Sequence, residues 1–188
     1  MFSTEANLLS FEDYLAYDDG TDHCYELVAG KLQLMNPPTV LHLLISKFLE
    51  QVFEDHLNEH DLPFICLQGI GIRTGWKTSR IPDLVILEKS LLTPFVNQSA
   101  VLTVPPTLVV EVVSRESIKR DYRYKRSEYA ALGIAEYWII DPIQQQVTLL
   151  SWQEGLYEET VLSGKERINS QQFPHITLTP EQIFNQEL

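Results

Sequence analysis

The sequence predicts an α/β chain, a mixed central sheet flanked by helices with hairpins added before and after it. Three observations carry that expectation. Apolar residues Leu41, Leu44, Ile45, Phe48, Leu49, Val52 and Phe53 recur at spacings of three and four, the period of a helix that buries one face. The run "TLVVEVV", residues 107–113, is short and β-branched, as in a strand covered on both sides. From Ser117 to Leu132 the period changes again to that of a helix.

Taken in order, "LSFEDYLAY" reads as a short helix, with Ser10 as N-cap and Asp13 in the acidic position three residues on. "CYELVAGKLQLM" reads as a hairpin turning at Ala29, Gly30 and Lys31, and Pro37 and Pro38 end it. The amphipathic helix then runs from Val40 to about Leu57. "PFICLQGIGIR" and "DLVILE" read as strands joined by a loop of glycine and cations from Gly75 to Arg80, and Lys89 to Pro106 reads as connection. After the "TLVVEVV" strand, Ser117 is a candidate cap and Gly133 a stop for the second long helix. "EYWIID" is a strand closed by Asp141 and Pro142. "QQVTLLSW" and "LYEETVL" form a hairpin through Gly155, and a short segment near Pro180 to Phe184 follows. The order is helix, three strands, helix, strand, with a hairpin before and another after. With no repeat, linker or low-complexity tract, one domain is expected over residues 1–188, its core about residues 10–165.

Composition narrows the function. Hydrophobic residues at 44% and charged residues at 21% suit a globular protein. No apolar run reaches the ~18 residues of a membrane span, and the first twenty residues carry acids where a secretion signal has a basic start and an apolar stretch. A cytoplasmic protein with two unremarkable thiols, Cys24 and Cys66, is expected. The net charge of −12 excludes a protein that coats a polyanion. Yet six of the fourteen cations lie between Arg115 and Arg126, and Arg73, Lys77 and Arg80 form a second group. Both groups are candidate phosphate contacts, set against the plainer reading of solvated surface.

The chemistry concentrates on a few acids. A carboxylate inside an apolar strand costs several kcal/mol unless bonded or paired, so Glu111 calls for a partner. Asp83 begins the preceding apolar strand, and two acids on neighbouring strand ends, with the Val112 carbonyl, suit a hard divalent cation. Asp121 and Lys125 are four apart and share a helix face. If that helix covers the Glu111 strand, Lys125 sends an ammonium to the substrate side. Such a set answers the needs of phosphodiester hydrolysis. Tyr129, Tyr137 and Trp138 are expected to pack the helix on the last core strand, with Tyr129 also free to bond a site carboxylate.

Pro82 and Asp83, followed by Glu111 and two valines, resemble the signature of the PD-(D/E)XK phosphodiesterase superfamily. The longer strings "IPDLVIL", "LVVEVVSRES" and "RDYRYKRSEYAALGIAEYWIIDP", with "YELVAGKLQL" and His42 upstream, are similar to the restriction endonuclease family often called Uma-two, abundant in cyanobacteria. The resemblance implies a restriction-endonuclease-like core and a Mg2+-dependent (or Mn2+-dependent) endonuclease acting on nucleic acid, above all DNA. It also implies a homodimer that cuts two strands. It places Glu26 in or beside the metal site and His42 at the site edge, as phosphate contact or proton shuttle. Where the superfamily has lysine two residues after the glutamate, this chain has Val113. The family supplies that lysine from the next helix, here Lys125, with Asp121 one turn earlier and Lys119, Arg120, Arg123 and Arg126 offsetting the acidic body. Val113 and the net charge keep a second reading open, the same fold used only to bind nucleic acid or protein. A third is a structural dimer through residues 146–162.

Overall fold

The computed structural model describes residues 8–186. Helix α1 (Phe11–Leu15) starts on a reciprocal capping box: the Ser10 hydroxyl accepts the Asp13 amide and the Asp13 carboxylate accepts the Ser10 amide. Strands β1 (Tyr25–Val28) and β2 (Lys31–Leu34) turn at Ala29 and Gly30, both at positive φ. Helix α2 (Val40–Glu59) is capped by Thr39, whose side chain accepts the His42 amide. That cap puts His42 in the first turn, and it buries Ile45, Leu49, Phe53 and Leu57 along one stripe.

The next stretch departs from expectation. The single strand read in "PFICLQGIGIR" is broken at Gly69, φ 70°, into β3 (Phe64–Leu67) and β4 (Gly71–Gly75). The residues read as a loop include β5 (Thr78–Arg80), and β6 (Leu84–Glu88) follows. Three polar residues carry no period of their own, so β5 exists because β4 and β1 pair with it from either side. The connection from Lys89 holds a 3-10 helix (Lys89–Phe95) and a two-residue strand, β7 (Val101–Leu102).

Beyond it, β8 (Leu108–Val112) is fully buried. The second long helix is not uniformly α: Arg120–Lys125 is a π-helical turn, and α3 (Arg126–Leu132) continues it to Gly133, which closes it at φ 74°. The described chain ends with β9 (Glu136–Asp141), β10 (Gln146–Gln153), β11 (Leu156–Ser163) and helix α4 (Pro180–Phe184). None of the described helices is long and apolar enough to cross a membrane.

The strands form two sheets where one was expected. Five run in the order β2-β1-β5-β4-β7 and six in the order β11-β10-β9-β8-β6-β3, with β4·β7 and β8·β9 parallel. Strand alternation splits the six-stranded sheet into two apolar layers. Leu84, Ile86, Val110 and Val112 face α2 and the C-terminal segment, whereas Val85, Leu87, Val109 and Val113 face α3. Trp138 lies in the first layer, against Phe53 of α2, so it does not join Tyr129 and Tyr137 under α3 as read. Those two rings do meet, edge to face at 5.0 Å.

A buried carboxylate anchors the C-terminal segment. Glu136 is wholly buried and accepts the Trp138 indole N–H, the Ser170 hydroxyl and the backbone amides of Gln171 and Gln172. Truncating it leaves two buried donors, the Trp138 indole N–H and the Ser170 hydroxyl, without their acceptor and frees the amides of Gln171 and Gln172. Glu136→Ala is expected to lower the free energy of unfolding in urea by about 3–5 kcal/mol. A loss under ~1 kcal/mol would mean that water replaces the carboxylate.

Candidate active site

The alternation that layers the core also aims the candidate residues. Glu111 on β8 lies between Val109 and Val113, the residue just past the strand, and shares their side of the sheet, so its carboxylate points at α3 and is 4% exposed. There Glu111 Oε1 accepts two bonds, from Lys125 Nζ at 2.6 Å and from the Tyr129 hydroxyl at 2.8 Å. Val113 would present a side chain to the same side, but it is sealed in the apolar layer. The π-helical turn brings Asp121 and Lys125 inward together, 1% and 3% exposed. Lys125 Nζ also lies 3.4 Å from Glu26 Oε1 and 3.7 Å from Asp121 Oδ1.

Asp83 enters from β6. In the β6·β8 register Leu84 faces Val110, and one step back puts Asp83 beside Glu111. The Val113 amide bonds Ile140 on β9, so Val112 turns its amide and carbonyl the opposite way. That amide donates to Asp83 Oδ2 at 2.6 Å. The other oxygen, Oδ1, is 2.7 Å from His42 Nε2. This pair is the open side of the cluster, with side chains 17% and 22% exposed.

Charge is out of balance here. Three carboxylates, Glu26, Glu111 and Asp121, lie within 3.7 Å of the one ammonium of Lys125, and a fourth, Asp83, stands beside Glu111 on the neighbouring strand. Burial, reinforced by Asp121 and Asp83, outweighs the pull of Lys125 and pushes the Glu111 carboxyl up to about 8. Asp121 is likewise raised, by burial against the attraction of Lys125. Its Oδ1 is a buried acceptor with no hydrogen-bond donor. For Lys125, burial disfavours the charge, but Glu111, Glu26 and Asp121 together hold its affinity for the proton above the ordinary lysine value. Burial and the neighbouring Glu111 raise Tyr129 well above the tyrosine range, which keeps its hydroxyl a donor.

These features bear on whether a divalent cation suits the site. Among the described residues no three or more His, Cys, Asp or Glu side chains converge as a ligand cage. Mg2+ does not require one, since it keeps several waters and takes one or two carboxylates. The surplus negative charge, the orphaned Asp121 oxygen and the free Oε2 of Glu111 fit such an ion. Asp83 and Glu111, with the Val112 carbonyl on the Asp83 side, are the residues that would hold it. Glu26 is differently employed: Oε1 accepts the Ile81 amide at 3.1 Å and Oε2 accepts Arg80 Nη1 at 3.0 Å.

The cations separate. Lys119 and Arg123 are exposed on the π-helical side, and Arg120 is partly exposed with Nε 3.8 Å from Asp121. Arg126 turns away to Glu159 on β11. Arg73 bonds the Gly75 and Trp76 carbonyls and stacks on Phe11 at 4.2 Å, bracing the β4–β5 tip where Lys77 is half-buried and Trp76 stands 81% exposed. Arg80, read as a rim cation, is the clearest displacement: it is 2% exposed and ion-paired to Glu26 and Glu128. Sequence reasoning missed Glu128 and Trp76. Glu128 follows Lys125 by three residues, a helical spacing that hinted at a shared neighbourhood, whereas nothing local distinguished Trp76 from a core tryptophan.

No curated protein matches the chain. A solved structure described as a "putative nuclease belonging to DUF820", from Anabaena variabilis ATCC 29413, superposes with a TM-score of 0.78 over 94% of this chain and 97% of the other. At 17% identity that likeness concerns the fold. The model of the Uma2 family, described as "Putative restriction endonuclease", matches residues 11–181 and so spans every residue of the cluster from Glu26 to Glu128. On that match, this chain belongs to the Uma2 family.

Proposed function

We propose that the chain is a Mg2+-dependent endonuclease that hydrolyses phosphodiester bonds in nucleic acid, DNA above all, in the cytoplasm. The observation that carries this reading is the 2.6 Å contact between Lys125 Nζ and Glu111 Oε1, an ammonium returned by the following helix to a strand that has valine at 113. Asp83, Glu111 and the Val112 carbonyl are the groups that would hold the ion. When bound, the ion would supply polarisation of a phosphoryl oxygen and a more acidic coordinated water. Lys125, kept charged by its three acids, hydrogen-bonds the phosphate and offsets the charge that grows on it. Asp121 stands behind Lys125 and fixes its direction. His42, held by Asp83 at the open edge, contacts the phosphate or passes a proton to the departing oxygen.

Lys77, Lys119, Arg120 and Arg123 lie where a strand entering from outside meets positive charge, and Trp76 adds an aromatic surface beside Lys77. Leu156 and Val161, exposed on β11, support a pair of copies that would place two sites on one duplex. The test is direct: purified protein with Mg2+ or Mn2+ and linear, supercoiled and single-stranded DNA. Nicking or linearisation that EDTA abolishes is expected. Salt-sensitive binding with no cleavage under any metal would replace the enzyme by a binding module of the same fold.

A further inference from the structure

Arg80 lies outside the group that meets substrate in the proposed mechanism, yet it is the most thoroughly engaged cation among the described residues. Its Nε and Nη2 grip Glu128 Oε2 and Oε1 at 2.8 and 2.6 Å, and Nη1 reaches Glu26 Oε2 at 3.0 Å. Glu128 also accepts the Thr74 hydroxyl at 2.8 Å, and the Ile81 amide pins the other oxygen of Glu26. One buried guanidinium therefore ties β5 to β1 and to the first turn of α3. Burial works against its charge, and Glu128 and Glu26 more than compensate. A planar fork can hold two carboxylates at once in fixed directions, which an ammonium cannot.

We propose that Arg80 is a positioning residue for Lys125, a step that rests on the endonuclease reading above. The connection runs along two arms. Glu128 is three residues beyond Lys125 on one helix, so the grip on Glu128 fixes where the Lys125 backbone sits over β8. Glu26 is a competitor for the same ammonium, 3.4 Å away against 2.6 Å for Glu111. By satisfying Glu26 Oε2, Arg80 supplies the counter-charge that Glu26 would otherwise draw from Lys125, and Lys125 stays on Glu111. Without Arg80, Lys125 moves toward Glu26 and away from the reacting phosphate. Displacements of about 1 Å in such a group cost roughly 10²-fold in rate.

The test separates this role from a phosphate contact and from general support. Arg80→Met should lower kcat roughly 10²-fold with KM for DNA little changed. The Arg80 guanidinium is engaged through Nε, Nη1 and Nη2 by Glu26 and Glu128, so its loss is not expected to weaken DNA binding. Arg80→Met combined with Glu26→Gln should regain at least tenfold of that loss, because the competing charge is gone. A second readout needs no activity: in protein carrying 15N-labelled lysine, the sheltered Lys125 ammonium should give a resolved signal, assigned by its loss in Lys125→Arg. That signal should shift in Arg80→Met and return toward its original position in the double variant. If Arg80→Met does not fold, Glu128→Gln, which loosens only the helix arm, should lower kcat by roughly tenfold at unchanged KM and shift the ammonium signal. A raised KM at constant kcat, or an unmoved ammonium signal, overturns the proposal. Wild-type protein that cleaves nothing but shows the predicted shifts would leave Arg80 as the holder of Lys125 and remove only the endonuclease reading.

Discussion

Lys125→Met is expected to reduce DNA cleavage under single-turnover conditions by roughly 10³-fold, the scale of losing one aimed charge stabiliser in a dry site. The side chain is 3% exposed and its ammonium has three carboxylate neighbours within 3.7 Å. Removing it therefore does two things at once. It takes the positive charge from beside the reacting phosphate, and it leaves Glu26, Glu111 and Asp121 facing one another across a buried space. Breaking a buried pair from one side costs about 3–5 kcal/mol of stability, so rates must be taken per folded molecule, with the folded fraction read by circular dichroism at each temperature. Lys125→Arg keeps the charge but brings a planar group to a pocket shaped for an ammonium, and it should recover stability far better than rate. Cleavage by the folded Lys125→Met protein within tenfold of wild type would remove Lys125 from the mechanism.

How much of this was legible in the sequence depends on whether a feature is local. The Ser10–Asp13 capping box, α2 and its stripe, the Gly133 stop and the buried apolar strand carrying Glu111 are set by neighbours within a turn or two, and the sequence displays them. Glu111 itself stood out because an acid between valines needs a partner, and the helical offset of Asp121 and Lys125 indicated which side chains could supply one. Arg80 could not be placed in that way. Arg73, Lys77 and Arg80 look alike as a cationic loop, and only the pairing of Ile72 with Arg80 and of Leu27 with Ser79 turns Arg80 inward to Glu26. The division into two sheets has the same origin, since β5 is held by the distant β1, through Leu27 opposite Ser79, as well as by adjacent β4. The π-helical turn also escaped detection. Its residues keep an acceptable helical pattern, and the four-residue offset puts Asp121 and Lys125 on one face in an α-helix as well, so only the backbone reveals the wider turn.

Glu111→Gln should have effects of opposite sign on activity and on the pH dependence of stability. Cleavage should fall by roughly 10³-fold or more, because the uncharged amide is a poor substitute for a carboxylate toward both the divalent ion and Lys125. Stability responds differently. Glu111 is pushed up to about 8 in the folded chain from 4.5, so between those values the native state holds a proton that the unfolded chain has released. Stability conferred by that proton is therefore complete below about pH 4.5 and lost as pH rises through about 8. Metal-free wild-type protein should weaken over this window relative to Glu111→Gln, which cannot ionise. Between pH 5 and pH 9 the difference in unfolding free energy should swing toward the variant by roughly 2–5 kcal/mol. The comparison cancels the raised Asp121, present in both proteins, to first order. Lys125 loses its 2.6 Å partner in the variant, which costs stability at every pH where it is charged, so the informative quantity is the slope and not the offset. Adding Mg2+ at pH 8 should then raise the melting temperature of wild type more than that of the variant, because a cation that binds only the folded carboxylate restores what ionisation took away. Parallel pH profiles for the two proteins would mean that Glu111 is already ionised across the range, held so by Lys125, and that burial does not govern its charge.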